Sequence, residues 1–162
     1  MMGVRFGILT ASDRSARGER PDLSGPALAD MVYSWGGTVV RQAVLPDDRL
    51  TLAETMVEWS DAGDLDVILV TGGTGFAPRD VTPEATLDVI ERQAPGIPEA
   101  MRAASLKITP HAMLSRLVAG TRGSVFIIDL PGSPKGAVEN LEVVLPVLEH
   151  AVRLLRQEDA GH

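Results

Sequence analysis

Two stretches of this chain are apolar at every position, and each runs directly into glycine and small polar residues. Residues 67–70 read Val-Ile-Leu-Val and lead into Thr71-Gly72-Gly73-Thr74-Gly75. Residues 125–128 read Val-Phe-Ile-Ile and lead through Asp129 into Leu130-Pro131-Gly132-Ser133-Pro134-Lys135. A strand with one wet face alternates apolar and polar residues. A strand with no polar face needs cover on both sides, as the central strands of a parallel sheet have. Residues 4–10 form a third apolar strand, ending in Ala11-Ser12-Asp13-Arg14, and residues 38–45 a fourth, ended by Pro46-Asp47-Asp48.

Segments of helical spacing separate these strands. Leu28, Met31, Val32 and Trp35 follow the helix start Ser24-Gly25-Pro26, with Ser24 a candidate cap and Gly36-Gly37 a stop. Leu52, Met56 and Trp59 share one side of the next helix, which Asp47 or Asp48 can cap and Gly63 ends. A helix opening at Pro83 carries Leu87, Ile90 and Ala94, and Pro95-Gly96 breaks it. Residues 98–107 read as another helix, and residues 111–119 less clearly so. The last helix carries Val138, Leu141, Leu145, Leu148, Val152 and Leu155, with a kink or a missing hydrogen bond expected at Pro146. Strands alternating with helices imply βαβ units and an α/β fold with a mostly parallel sheet. One domain is expected over residues 1–156, followed by a polar tail, 157–162.

Charge and composition exclude several function classes. The net charge is -7, and a binder of nucleic-acid polymers usually shows a basic face. One or two phosphates remain admissible, because backbone N–H groups and a single cation can hold them. With no cysteine, disulfides and thiolate metal sites are excluded. No apolar stretch approaches the ~20 residues of a membrane span, and no secretory leader is evident at the N-terminus. A cytoplasmic protein with no membrane partner is expected.

Chemistry is expected at the strand ends, since ligands of open α/β sheets lie outside the carboxyl ends of the strands. Three loops qualify: residues 12–26, 71–82 and 131–135. In Thr71-Gly72-Gly73-Thr74-Gly75, consecutive N–H groups can form an anion-binding concavity, with the threonine hydroxyls as further donors. A tight turn with no ligand is the competing reading. The loop is neither a GxGxxG fingerprint nor a P-loop, which lowers the standing of dinucleotide and P-loop functions. Asp80, in Arg79-Asp80-Val81-Thr82-Pro83-Glu84, either favours the following helix N-terminus or holds Mg²⁺ beside a phosphate. Asp47 has the same two readings, with capping the default. Ser133 and Lys135 can meet a phosphate at the start of the last helix, or can form an ordinary exposed turn. Ser12, Asp13, Asp22 and Ser24 make a polar cluster in the first loop.

Taken together, these motifs resemble the MogA/MoaB-like family of molybdenum cofactor biosynthesis, whose fold module also occurs in gephyrin. The resemblance rests on Ser12-Asp13-Arg14 through Asp22-Leu23-Ser24-Gly25-Pro26, on Leu45-Pro46-Asp47, on Thr71 through Gly75 with Arg79 through Thr86, and on Leu130 through Gly136. It spans residues 5–155. It implies a three-layer α/β molybdopterin-binding fold and, usually, a homotrimer. It implies Mg²⁺-dependent transfer of AMP from ATP to the terminal phosphate of molybdopterin, with release of pyrophosphate. Asp47 and Asp80 match the family's catalytic acidic positions, with Asp80, or Asp47 as well, holding the metal. Ser12, Asp22, Ser24, Gly25, Thr71, Gly72, Gly73, Thr74, Gly75, Thr82, Glu84, Pro131, Gly132, Ser133 and Lys135 match positions facing the substrate and its phosphates. Other enzymes of the cofactor pathway are further possible partners. The short form of the chain also resembles MoaB-type members, so a non-catalytic pterin carrier is the alternative. A CinA-like nucleotide-processing domain is the second rival.

Overall fold

The computed structural model describes residues 3–158; of the expected tail, 159–162 lie outside the described residues. The elements run β1 (Arg5–Ala11), α1 (Asp13–Ala16), α2 (Ser24–Trp35), β2 (Thr38–Leu45), α3 (Arg49–Asp61), β3 (Val67–Thr71), α4 (Thr82–Val89), β4 (Arg92–Gln93), α5 (Gly96–Leu106), a 3-10 turn (Pro110–Leu114), β5 (Ala119–Arg122), β6 (Val125–Leu130) and α6 (Pro134–Leu155). They form one six-stranded sheet in the order β2-β1-β3-β6-β5-β4. The first four strands of that order are parallel, and β5 and β4 add an antiparallel edge.

The all-apolar strands are central, and their side chains divide by period two between two cores. Phe6 and Ile8 of β1, Val67 and Leu69 of β3, and Phe126, Ile128 and Leu130 of β6 pack with α2, α5 and α6. Leu9, Ile68, Val70, Val125 and Ile127 point the other way, against Leu52, Met56 and Trp59 of α3 and Ala85 and Val89 of α4. Burial on both faces explains the lack of a polar alternation and gives three layers. Among the described residues no helix is long and apolar enough to cross a membrane.

Several local expectations differ from the structure. Helix α4 ends at Val89, because Ile90 is extended with φ -70 and ψ 144. Leu87 is exposed rather than buried, and the buried positions include Ala85, Thr86 and Val89. After Ile90 the backbone pairs with β5, Glu91 N donating to Thr121 O and Ala94 N to Ala119 O. Residues 111–119 are a 3-10 turn and a connection, not a helix. Asp48, not Asp47, caps α3, accepting from Thr51 N at 2.9 Å. Ser24 caps nothing: Asp22 accepts from Gly25 N at 3.1 Å at the start of α2. Helix α6 continues through Pro146 to Leu155.

Candidate active site

The strand order turns around between β1 and β3: the chain leaves β1 toward β2 on one side, then crosses to β3 on the other. Ligand crevices of open α/β sheets form at this switch point. Register brings the strand ends level, with Thr10 opposite Thr71, Thr71 opposite Leu130, and Ala11 opposite Leu45. The loops that follow meet backbone on backbone. Gly72 N donates to Leu130 O at 3.2 Å. Gly72 has φ +101, and a Cβ there would collide with Ala11 O. A Cβ on Gly132 would lie 3.2 Å from Gly72 Cα. The result is a cleft of about 520 Å³ lined by all three loops, with Ser12, Asp22, Ser24, Asp47, Thr71, Gly72, Gly73, Asp80, Gly132 and Ser133 among its residues.

Several expected ligand groups are engaged in holding the loops. Thr71 donates its hydroxyl to Pro131 O at 2.7 Å, so it is not a spare donor for an anion. Ser24 donates to Gly132 O, joining the first loop to the third. Asp22 accepts from Thr10 Oγ1 at 2.9 Å as well as from Gly25 N. Ser12 caps α1, accepting from Ser15 N, and Ser133 caps α6, accepting from Gly136 N. The cap on α6 leaves the helix start facing the cleft beside Gly132 and Pro134.

Asp47 lies where the loops after β1, β2 and β3 meet. Its Oδ2 accepts from Asp13 N and its own N–H donates to Asp13 Oδ1, both at 3.0 Å. Arg79 closes the group with two bonds of 3.0 Å to Asp13. Those bonds hold the Asp13 carboxyl below its usual range. Asp47 moves the other way: burial raises it, the Asp13 amide opposes that, and the charges of Asp13 and Asp80 add to the rise. Asp47 Oδ1 is buried, with no hydrogen-bond partner among the described residues. Thr82 Oγ1 is in the same condition. Both flank Gly73, where a Cβ would lie 2.6 Å from Thr82 Oγ1 and 3.0 Å from Asp47 Oδ1. Asp80 closes the neighbouring turn, its Oδ2 accepting from Ala77 N at 2.9 Å.

A cation fits this arrangement. Asp47 offers an unpartnered carboxylate oxygen at a position made electronegative by Asp13 and Asp80. Among the described residues, no group of three or more His, Cys, Asp or Glu could hold a metal ion. Mg²⁺ commonly uses one or two carboxylates and takes its other ligands from water and substrate phosphates. Asp47 and Asp80 suit that mode.

Some expected residues lie away from this cleft. Lys135 is 82% exposed at its side chain, 3.9 Å from Glu139, and is not on the lining. The cation on the lining is Arg20. Sequence reading missed it, since an arginine in a polar loop carries no motif. Glu84 pairs with Arg116 at 2.7 Å. Thr74 and Gly75 face a neighbouring, more apolar cleft of about 460 Å³ that also touches Pro131 and Ser133. Phe76, Ile108, His111 and Asn140 line that second cleft. Glycine is required at Gly72 and Gly73, both at positive φ, and not for that reason at Gly75.

Comparison with known proteins places this chain in a family. The family described as "Probable molybdopterin binding domain" matches residues 7–150. A molybdopterin adenylyltransferase of Helicobacter pylori is 40% identical over 157 residues, covering 96% of this chain and 89% of the relative. Gephyrin of Dictyostelium discoideum is 41% identical over 94% of this chain, which corresponds to 22% of gephyrin. The crystal structure of the molybdopterin biosynthesis enzyme MoaB from Thermus thermophilus superposes with a TM-score of 0.91 at 47% identity, covering 96% of this chain and 98% of that one. The chain belongs to the molybdopterin-binding domain family of molybdenum cofactor biosynthesis.

Proposed function

We propose that the protein is a molybdopterin adenylyltransferase, transferring AMP from ATP to the terminal phosphate of molybdopterin and releasing pyrophosphate. The observation that carries this reading is the acidic pair Asp47 and Asp80 on a polar cleft that glycine backbones also line. Relatives named for this activity, about 40% identical over most of the chain, support it.

The chemistry needs little from a general base. The attacking pterin phosphate oxygen is already ionised at neutral pH. It forms a new bond to the α-phosphorus of ATP while the bond to the departing pyrophosphate breaks. The obstacle is the mutual repulsion of two polyanions. The Gly73 N–H and the α6 start, with Arg20, would hold phosphate oxygens and align them for in-line attack. Asp47 and Asp80 would hold Mg²⁺, which when bound neutralises charge on the transferring phosphoryl group. Asp13, itself held by Arg79, fixes the Asp47 carboxylate in place. A homotrimeric, cytoplasmic enzyme is the assembly and location we assign to it.

The deciding assay is ATP- and Mg²⁺-dependent adenylylation of purified molybdopterin, followed by mass spectrometry of the pterin. Asp80→Asn and Asp47→Asn should fold normally and lose on the order of 10²–10³ in kcat. Full turnover in both variants would overturn the acidic-pair mechanism. Pterin binding by wild type with no adenylylated product would make it a carrier.

A further inference from the structure

Arg116 reaches the loop of Asp80 from a distant part of the chain. It follows the 3-10 turn Pro110–Leu114 and precedes β5. Its Nε donates to Gly75 O at 2.8 Å and its Nη2 to Asp80 O at 2.8 Å. These two carbonyls are the two ends of the turn formed by residues 75–80. The same guanidinium forms a fork on Glu84, Nη1 to Oε2 at 2.7 Å and Nη2 to Oε1 at 3.2 Å. Its backbone N–H donates to Thr74 O at 2.9 Å. One residue therefore ties the glycine loop, the carbonyl of Asp80 and the first turn of α4. Between those ends Phe76, Ala77, Pro78 and Arg79 are exposed. Within the turn, Asp80 N bonds Ala77 O and Ala77 N bonds Asp80 Oδ2.

We infer that Arg116 is a positioning residue for adenylyl transfer, a clamp that fixes Asp80 relative to the glycine loop; this rests on the adenylyltransferase reading above. Arginine suits the task because its planar fork can satisfy one carboxylate and two carbonyls at once, which an ammonium point charge cannot do. The reach of the clamp extends further. Ser115 and Leu117, its chain neighbours, line the second cleft, so a ligand seated there bears on the segment that holds Asp80. Glu84 keeps the guanidinium in place from the other side, the bond from Arg116 holding its carboxyl below the usual range.

The test uses the full chain. Arg116→Gln should lower kcat by about 10²-fold, as a displaced catalytic group does, with the KM for ATP changed by no more than about twofold. Arg116→Lys keeps a charge opposite Glu84 and the fold, and should recover only part of that loss. Glu84→Gln should cost less than Arg116→Gln, and the double variant no more than Arg116→Gln alone, because the two side chains act as one unit. Hydrogen exchange provides a readout independent of turnover: the amides of Ala77 and Asp80 should exchange faster in both Arg116 variants while those of β3 keep their protection. Unchanged kcat in Arg116→Gln, losses that multiply with Glu84→Gln, or unaltered exchange at Ala77 and Asp80 would overturn the clamp. A wild type that transfers no adenylyl group would sink the functional reading instead, and exchange would then decide the clamp alone.

Discussion

Asp129 has no exposed surface. Its oxygens meet the Thr86 hydroxyl at 2.6 Å and the Val118 amide at 3.2 Å. Burial pushes its pKa well above the ordinary 3.8, and these two bonds only partly oppose that. The folded chain therefore keeps a proton that the unfolded chain releases. That contribution to stability is full below the unfolded pKa and is lost as pH rises through the folded one. Asp129→Asn removes the titration and can serve both partners, its carbonyl accepting from Val118 and its amide donating to Thr86. Wild-type unfolding free energy should fall with rising pH above 3.8 more steeply than that of Asp129→Asn. Parallel stability curves in denaturant titrations across that range would contradict this.

Helix α6 keeps Pro146 on its exposed side, in its second half. The ring removes the N–H that would bond the carbonyl of Glu142. Solvent can reach that side of the helix, so the defect is tolerated, and Leu141, Val144, Leu148 and Val152 still reach the core. Pro146→Ala restores the bond and a better helix former. It should raise stability by about 1–3 kcal/mol, read as a higher urea midpoint at unchanged slope. Helix α4 shows the opposite lesson. Leu87, Ile90 and Ala94 have helical spacing, yet residues beyond Ile90 give up helical bonds for pairing with β5. The competing partner lies far along the chain, and no local periodicity reports it.

Across the whole molecule, Asp66 joins the two ends of the described chain. Its carboxylate, 3% exposed, accepts from Arg5 N and Nε near the start and from Arg156 Nε and Nη2 near the end. Burial raises its pKa, but the bonds from Arg156 and Arg5 outweigh that and hold the carboxyl below its usual range. This stabilisation is present above the unfolded pKa of 3.8 and is lost as pH falls through the folded value. Asp66→Asn should cost about 1–3 kcal/mol at neutral pH and much less in acid. Equal losses at both pH values by chemical denaturation would show that charge is not what joins the ends.

Local pattern along the chain specifies the sheet's centre and most of the cleft. Residues 67–70 and 125–128 have no polar face, so they had to lie between two apolar layers, and the glycines after them had to stand at the strand ends. Ser12, Asp22, Ser24, Asp80 and Ser133 were therefore legible as neighbours of one crevice, and Asp47 only through the family resemblance. How each is used depends on contacts between loops that are distant along the chain. Thr71 and Ser24 spend their hydroxyls on carbonyls of the third loop, Lys135 points away, and Arg20 takes its place on the lining. Arg116 acquires its role through four side-chain contacts to residues 32 to 41 positions earlier. Periodicity and turn chemistry are local properties and can be read along the chain. Hydrogen-bond partners across loops depend on which strand ends the sheet brings level, and that is decided when the layers pack.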